Sequence, residues 1–116
     1  MTPPDPHAHL PLKTAWFHIL LTLADGPAHG YAIREQTEGR TDGAVTLWPA
    51  TLYGALRDLE ELGAIEPLQG DADPDDDQRR RYHALTSFGA ALLRAETERL
   101  QGLVDAARAS RAWGRT

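Results

Sequence analysis

The fold of this chain is decided by residues 49–63, which read PATLYGALRDLEELG. Proline suits the first turn of a helix, where its missing N–H has no partner to lose, and Gly63 is a typical helix end. Between them, apolar side chains recur at steps of three and four, the period of one helix face. This apolar stripe consists of Leu52, Ala55, Leu56, Leu59 and Leu62. The stretch therefore predicts an amphipathic helix with a buried leucine side and a polar side left for a partner.

Two further helices are predicted before this stretch. Apolar residues at helical spacing favour a first helix from Leu12 to the turn Asp25-Gly26-Pro27, because glycine and proline both interrupt helices. A second, shorter helix is predicted over residues 29–38, with Tyr31 and Ile33 turned inward. The predicted helix of residues 49–63 is therefore the third in the chain.

After Gly63 the apolar pattern changes to that of short strands. Residues 64–68 and 79–85 are predicted to form a hairpin, joined by the acidic loop of residues 70–78. Thr86 then offers an N-cap for a helix of about 24 residues, roughly 36 Å long. Three helices, a hairpin and a last helix make a mainly α fold with a small β-hairpin, in the order of a winged helix-turn-helix.

These elements predict a division of the chain into four parts. Residues 1–11 are rich in proline and are expected to form a flexible arm without helix. Residues 12–86 form the predicted winged helix-turn-helix domain. Residues 87–112 form a long C-terminal helix, which cannot bury its whole length on so small a domain and is expected to dimerise. Residues 113–116 are left as a tail.

The charge of the chain is unevenly distributed. Its 116 residues carry 17 acids and 12 bases, a net charge of −5, which would argue against a nucleic-acid partner. However, five of the acids are aspartates within residues 71–77, directly before Arg79, Arg80 and Arg81. Because one short run sets the balance, the net charge does not decide the function.

Several classes of function are excluded or disfavoured by composition. The chain has no cysteine, which excludes disulfides and thiol nucleophiles and fits a cytoplasmic location. It shows neither a secretory signal nor an apolar run long enough to cross a membrane. The sequence also lacks catalytic and nucleotide-binding motifs. His7 and His9 have no evident third ligand, and the aspartate run fails the EF-hand pattern. We therefore expect neither an enzyme nor a bound metal or cofactor.

Three segments of the chain resemble one known family. Residues 23–31 read LADGPAHGY, residues 50–53 read ATLY, and residues 79–86 read RRRYHALT with Gly89 close behind. In this order and at these spacings they resemble the PadR-like transcriptional regulators, over about residues 12–110. The resemblance implies a winged helix-turn-helix protein that acts as a homodimeric, ligand-responsive DNA-binding repressor.

The resemblance also implies that the C-terminal helix supplies most of the dimer contact, as in the short form of the family. Two features depart from the family pattern. Trp48 stands where members often carry a small polar N-cap, so packing is expected to set the start of the third helix. The wing tip, residues 71–77, is acidic where a basic or neutral tip would favour DNA.

On the third helix, Thr51, Tyr53 and Arg57 are the candidates for contact with the major groove. Hydroxyl groups can bond bases or phosphates, and an arginine can bond guanine O6 and N7 in a bidentate manner. The alternative is ordinary solvent exposure, with Tyr53 partly in the core.

Two other places are candidates for contacts with the DNA backbone. His29 and Tyr31 open the second helix, whose free N–H groups and dipole can hold a phosphate; Tyr31 has an equally strong interpretation as a core aromatic. Arg79, Arg80 and Arg81 alternate along a strand, so one side can meet DNA while the other pairs with the acidic loop. The alternative for this run is a solvated strand.

Trp16 on the first helix, with Leu93 and Leu100 on the last, is the candidate lining of a cleft for a small aromatic or drug-like effector. The alternative is plain dimer core. The predicted partners are therefore a double-stranded, pseudo-palindromic operator, a second copy of the chain and an effector. The alternative function is a winged-helix module that binds proteins and not DNA, suggested by the negative net charge.

Overall fold

The computed structural model describes residues 4–68 and 81–114. The described residues form a 3-10 turn at Pro6–His9, helix α1 (Thr14–Leu23), strand β1 (Ala28–His29), helix α2 (Gly30–Arg40), helix α3 (Pro49–Leu62), strand β2 (Ile65–Pro67), strand β3 (Tyr82–Leu85), helix α4 (Ser87–Ala109) and a last 3-10 turn at Arg111–Trp113. The predicted mainly α winged helix-turn-helix fold is confirmed.

The sheet has one strand more than the predicted hairpin. Strand β3 lies in the middle, antiparallel to β1 on one side and β2 on the other. In the register, Ala28 faces His83 and Ile65 faces Leu85. Strand β1 pairs over only two residues, too few for any alternation to show in the sequence. It attaches the turn before α2 to the wing.

The core lies where the four α-helices of the described chain converge. Its fully buried side chains come from α1, α2, α3 and α4 and from the loop before α3: Ile19, Leu20, Ile33, Leu47, Leu59 and Leu92. Burying an aliphatic side chain of this size stabilises the fold by about 1.5–3 kcal/mol. This core holds the inner side of α3 and leaves its outer side exposed.

Helix α3 runs from Pro49 to Leu62, as the sequence predicts. Gly63 ends it in the left-handed conformation, with φ of +83°, which glycine adopts without strain. Trp48 occupies the N-cap position. Because an indole carries a donor and no acceptor, it cannot cap the helix N–H groups as a serine or aspartate does.

Helix α4 begins at the predicted cap. The Thr86 hydroxyl accepts from the N–H of Gly89 at 3.0 Å and donates to the carbonyl of Gly63 at 2.6 Å. Gly89 packs so closely that a Cβ there would lie 2.0 Å from the carbonyl oxygen of Ala64. From residue 101 onward the helix is exposed. Its first half therefore belongs to the core, and its second half extends away from it.

The start of the chain differs from the expectation. The prediction that residues 1–11 contain no helix is wrong at Pro6–His9, which form a 3-10 turn beside α4. Asp5 caps this turn by accepting from the N–H of His7 at 3.0 Å, and proline fits its first position. The ring of His9 meets Phe88 edge-on, with centroids 5.9 Å apart.

A buried carboxylate fixes the next residues. Glu96 on α4 is only 3% exposed, and it accepts from the N–H of Leu12 at 3.0 Å and from Nη2 of Arg99 at 3.0 Å. The hydrogen bond from Arg99 lowers the pKa of Glu96 below its usual value, and the bond from Leu12 acts in the same direction. The chain before α1 is thereby attached to α4.

Candidate nucleic-acid interface

Two of the three residues of α3 that are predicted to contact DNA are exposed on the outer side of the helix. Thr51 and Arg57 are exposed, and between them Gly54 faces open space: within the described residues, no heavy atom lies within 4 Å of where its Cβ would be. Asp58 is exposed next to Arg57. A narrow glycine flanked by a hydroxyl and a guanidinium lets the helix axis come close to a partner surface.

Tyr53 lies at the edge of this side and is half-buried. Its ring packs on the start of α2, where a Cβ on Gly30 would lie 3.4 Å from Cε1 of Tyr53 and 3.4 Å from Cδ2 of Leu52. Tyr53 therefore sets the position of α2 against α3 while keeping one edge at the surface.

His29 and Tyr31 both lie at the start of α2. His29 is its N-cap, and its Nδ1 accepts from the N–H of Ala32 at 3.1 Å. A neutral imidazole that accepts at Nδ1 carries its proton on Nε2, which is then a donor. The inward position predicted for Tyr31 is wrong, because its side chain is 55% exposed. The hydrogen bond to Glu35 raises the pKa of Tyr31 above its usual value.

The wing strand buries one side chain deeply and leaves the two residues before it exposed. Arg81 and Tyr82 are exposed, whereas His83 is 3% exposed, and its Nε2 lies 2.6 Å from Oε1 of Glu60 on α3. Within the described chain, Nδ1 of His83 is buried without a hydrogen-bond partner, so Nε2 carries the proton and donates to Glu60. This bond ties the wing to α3.

The same contact closes one end of a pocket between α3 and β3. The pocket is lined by Tyr53, Leu56, Arg57, Glu60, Arg81 and His83. It brings together Arg57 and Arg81, which lie on separate elements of the sequence, as lining residues of one pocket. Arg79 and Arg80 lie outside the described residues.

Trp16 lies in a groove between α1 and α3. Trp16 and Lys13 form the α1 wall, with the Lys13 ammonium 5.2 Å from the indole centroid, and Thr51, Gly54 and Asp58 form part of the α3 wall. Trp16 is half-buried against the core. On α4, Leu93 packs against the core and Leu100 is half-buried. The effector cleft assigned to these three residues stays a prediction.

The sequence did not single out a pair at the N-terminal end of α3. Trp48 is 62% exposed, and the Arg34 guanidinium of α2 lies 5.2 Å from the centroid of its ring. Nε of Arg34 also donates to Oε1 of Glu38 at 3.3 Å. The only signal in the sequence is the presence of a tryptophan at a position suited to a small polar cap. The Trp48 ring does not supply the packing that is expected to set the start of the helix, because it is largely exposed, whereas the preceding Leu47 is buried in the core.

Exposed apolar residues also mark the second half of α4. Leu103 is 56% exposed and Val104 41% exposed. Neighbouring apolar side chains on a helix that has left its own core are typical of an association surface. Beyond them, the indole of Trp113 stacks with Arg108 at 5.6 Å.

Two absences concern the described residues only. Residues 4–68 and 81–114 contain no group of three histidines or acids placed to hold a metal ion. In the same ranges, no helix is long and apolar enough to cross a membrane.

The family described as the transcriptional regulator PadR-like family matches residues 19–95. This match covers more than half of the chain, from the core of α1 through α3 and the wing into α4. The chain belongs to the PadR-like family. The resemblance of its sequence segments is thereby confirmed, and the family is one of transcriptional regulators and not of enzymes.

Two curated proteins are similar to this chain. A 37.1 kDa protein of a Streptomyces fradiae transposon is 40% identical over an alignment of 92 residues that covers 74% of this chain and 24% of that protein. A protein from Lysinibacillus sphaericus is 33% identical over 75 residues, 65% of this chain and 67% of that protein. The chain thus spans about a quarter of the first relative and two thirds of the second.

Among solved structures, a transcriptional regulator from Clostridium thermocellum is 26% identical, with a TM-score of 0.68 over 81% of this chain and 86% of that one. A PadR family transcription regulator from Clostridium difficile has a TM-score of 0.64 at 21% identity, over 81% and 94%. Bacillus subtilis PadR in complex with operator DNA has a TM-score of 0.62 at 20% identity, over 73% and 47%. The last two likenesses concern the fold.

Proposed function

We propose that this PadR-like protein is a homodimeric, ligand-responsive repressor that acts in the cytoplasm on a pseudo-palindromic operator. The observation that carries the proposal is the outer side of α3, where Thr51 and Arg57 are exposed and a Cβ on Gly54 would meet open space, while the leucine side is buried. A helix held in this way beside a wing is the arrangement that enters a major groove. The Bacillus subtilis PadR of the same fold was solved with operator DNA.

The proposed contacts fall into two groups. Thr51 and Arg57 meet base edges, with Arg57 bonding guanine O6 and N7 or a phosphate. His29 and Tyr31, at the start of α2, contact phosphates, for which the Nε2–H of His29 is a suitable donor, whereas Tyr53 belongs with Thr51 and Arg57 to the groove-facing set.

The wing supplies a further backbone contact. Arg81 is exposed directly before β3 and lines the same pocket as Arg57 on α3, so one phosphate strand can pass both side chains. We assign Arg79 and Arg80 to the same basic run. This cluster offsets the net negative charge of the chain at the point where DNA would lie.

The second copy of the chain would pack along the exposed half of α4, covering Leu103 and Val104 together with Leu100. A twofold dimer presents two α3 helices, and successive major grooves require them about 34 Å apart. An aromatic effector bound near Trp16, Leu93 and Leu100 would change this spacing and thereby weaken operator binding.

Fluorescence anisotropy with a duplex from upstream of the gene, and with a scrambled duplex, tests the DNA proposal. Six phosphate contacts per dimer predict a slope of log affinity against log salt of about −5. Thr51→Ala and Arg57→Ala should each weaken operator binding, whereas Arg94→Ala, which removes an exposed arginine of α4, should not. Equal affinity for both duplexes at physiological salt would favour the protein-binding alternative.

A charge placed in the apolar patch of α4 tests the dimer. Leu103→Glu should produce monomers in sedimentation, because two copies would bury these carboxylates against each other. Gln101→Glu, an exposed change on the same helix, is the matched control. A stable dimer of Leu103→Glu would contradict the assignment of this surface.

A further inference from the structure

We propose that Trp48 and Arg34 form an additional DNA-backbone contact, in which the indole packs on a deoxyribose and the guanidinium binds the adjacent phosphate. This inference rests on the proposed function. It assigns a role to a pair made of the half-buried Arg34 on α2 and the exposed Trp48 at the start of α3, outside the set of contact residues described above.

The position of the pair favours DNA over another occupant. Trp48 directly precedes the first residue of α3, and Arg34 lies one turn into α2. In a helix-turn-helix, the first helix of the motif crosses the sugar–phosphate backbone while the N-terminal end of the second enters the groove. A pair of side chains between α2 and the N-terminal end of α3 would therefore face the sugar–phosphate backbone at the edge of the groove.

The exposure of Trp48 is hard to explain by the fold alone. The ring is 62% exposed, and an indole at the N-cap cannot accept from the helix amides. A serine there would stabilise the helix better. Large exposed aromatics paired with arginine are typical of binding surfaces, where a rigid ring covers apolar area with little loss of conformational freedom.

The geometry of Arg34 suits a phosphate. Its guanidinium is held over the ring at 5.2 Å, and its Nε is bonded to Glu38 at 3.3 Å, so the group is oriented before any ligand arrives. The Glu38 bond uses Nε, whereas the terminal NH2 groups are the ones that reach phosphate oxygens. Glu35 is the other acid of this segment, and its carboxylate is bonded to Tyr31.

The test uses Trp48→Ser, Arg34→Gln and a matched control, Trp113→Ser. Trp113 is 59% exposed and stacks with Arg108, so it is a similar pair at the far end of the molecule. Trp48→Ser should weaken binding about tenfold on operator and scrambled duplex alike, because a backbone contact is blind to sequence. Its thermal midpoint should stay equal or rise, because serine caps the helix. Arg34→Gln should reduce the salt slope by about 2 per dimer.

The outcomes separate this inference from the proposed function. If the wild-type protein binds the operator and Trp48→Ser binds it with the same affinity, the inference is overturned and the proposed function stands. A loss confined to the operator overturns the backbone assignment in favour of a base contact. Failure of the wild-type protein to bind any duplex overturns both. A uniform loss with intact stability, and none for Trp113→Ser, supports the contact.

Discussion

Replacing the buried Glu96 probes the link between the start of the chain and α4. Glu96→Ala removes the acceptor of the Leu12 N–H and the partner of Arg99. Glu96→Gln keeps the shape and one acceptor oxygen but removes the charge. Glu98→Gln is the matched control, because Glu98 is exposed on the same helix.

The size of the effect follows from these contacts. Leaving the buried Leu12 N–H without an acceptor costs about 1–3 kcal/mol. The Arg99 pair adds less, about 0.5 kcal/mol, since a third of the Arg99 side chain is exposed and water screens it. We therefore expect Glu96→Ala to lower the free energy of unfolding by about 2–3 kcal/mol and Glu96→Gln by about 1 kcal/mol. At about 4 °C per kcal/mol for this size, the alanine variant should melt about 10 °C lower.

The sign of the pH dependence follows from the lowered pKa of Glu96. A carboxyl whose pKa is lower in the folded state stabilises the fold fully above its unfolded pKa, about 4.3, and loses this contribution as pH falls through the folded value. The difference in free energy of unfolding between wild type and Glu96→Gln should therefore have its full size at neutral pH and shrink below about pH 4.

Urea denaturation followed by circular dichroism, at one fixed protein concentration, measures the free energies of unfolding of the variants and their change with pH. The glutamine variant keeps the packing, so its loss of stability reports the missing charge together with the one acceptor oxygen that becomes an amide NH2. A loss that stays the same between neutral pH and about pH 3.5 would refute the assignment of the stabilisation to the ionised carboxylate. Equal stability of Glu96→Ala and Glu98→Gln would refute the link itself.

Three further substitutions test the packing around the site. Gly89→Ala should destabilise the domain by about 3 kcal/mol or more in thermal melts, because its Cβ would lie 2.0 Å from the Ala64 carbonyl; an unchanged midpoint would contradict that close contact. Gly54→Ala should raise the free energy of unfolding by about 0.5–1 kcal/mol, because alanine suits a helix better and its methyl would meet open space, yet weaken operator binding in anisotropy, because that side of α3 is the one we propose to face DNA; tighter binding would argue against that orientation. Glu60→Ala should cost about 1–3 kcal/mol in urea denaturation, because buried His83 loses its partner, and full stability would show that this bond does not hold the wing.

The elements predicted correctly are those whose signals are local. Pro49 and Gly63 begin and end α3 because each acts through its own backbone, and Thr86 caps α4 through a bond only three residues long. The leucine stripe of α3 likewise follows from helical period alone. Strand β1 was missed, because two residues become a strand only through pairing with β3, more than fifty residues later.

The candidate site was predictable in part for the same reason. The exposure of Thr51 and Arg57 follows from the period of α3. The exposure of Tyr31 does not follow from the helical period of α2. An aromatic residue at the start of a helix suits a buried or an exposed side, and the packing of neighbouring elements decides which side it takes. The Trp48–Arg34 stack joins two elements across a loop, and the local sequence pattern does not predict it. Contact of any of these residues with DNA stays a prediction.

The central claim is that the outer side of α3 faces operator DNA. Because the chain has no cysteine, Thr51→Cys introduces a single thiol on that side, and Thr97→Cys introduces one on an exposed position of α4. The measurement is the rate of maleimide labelling with the upstream duplex, with a scrambled duplex and without DNA. The account predicts that the upstream duplex slows labelling at residue 51 at least about tenfold and leaves residue 97 unchanged. Equal labelling of residue 51 with and without a duplex that the protein binds would contradict it.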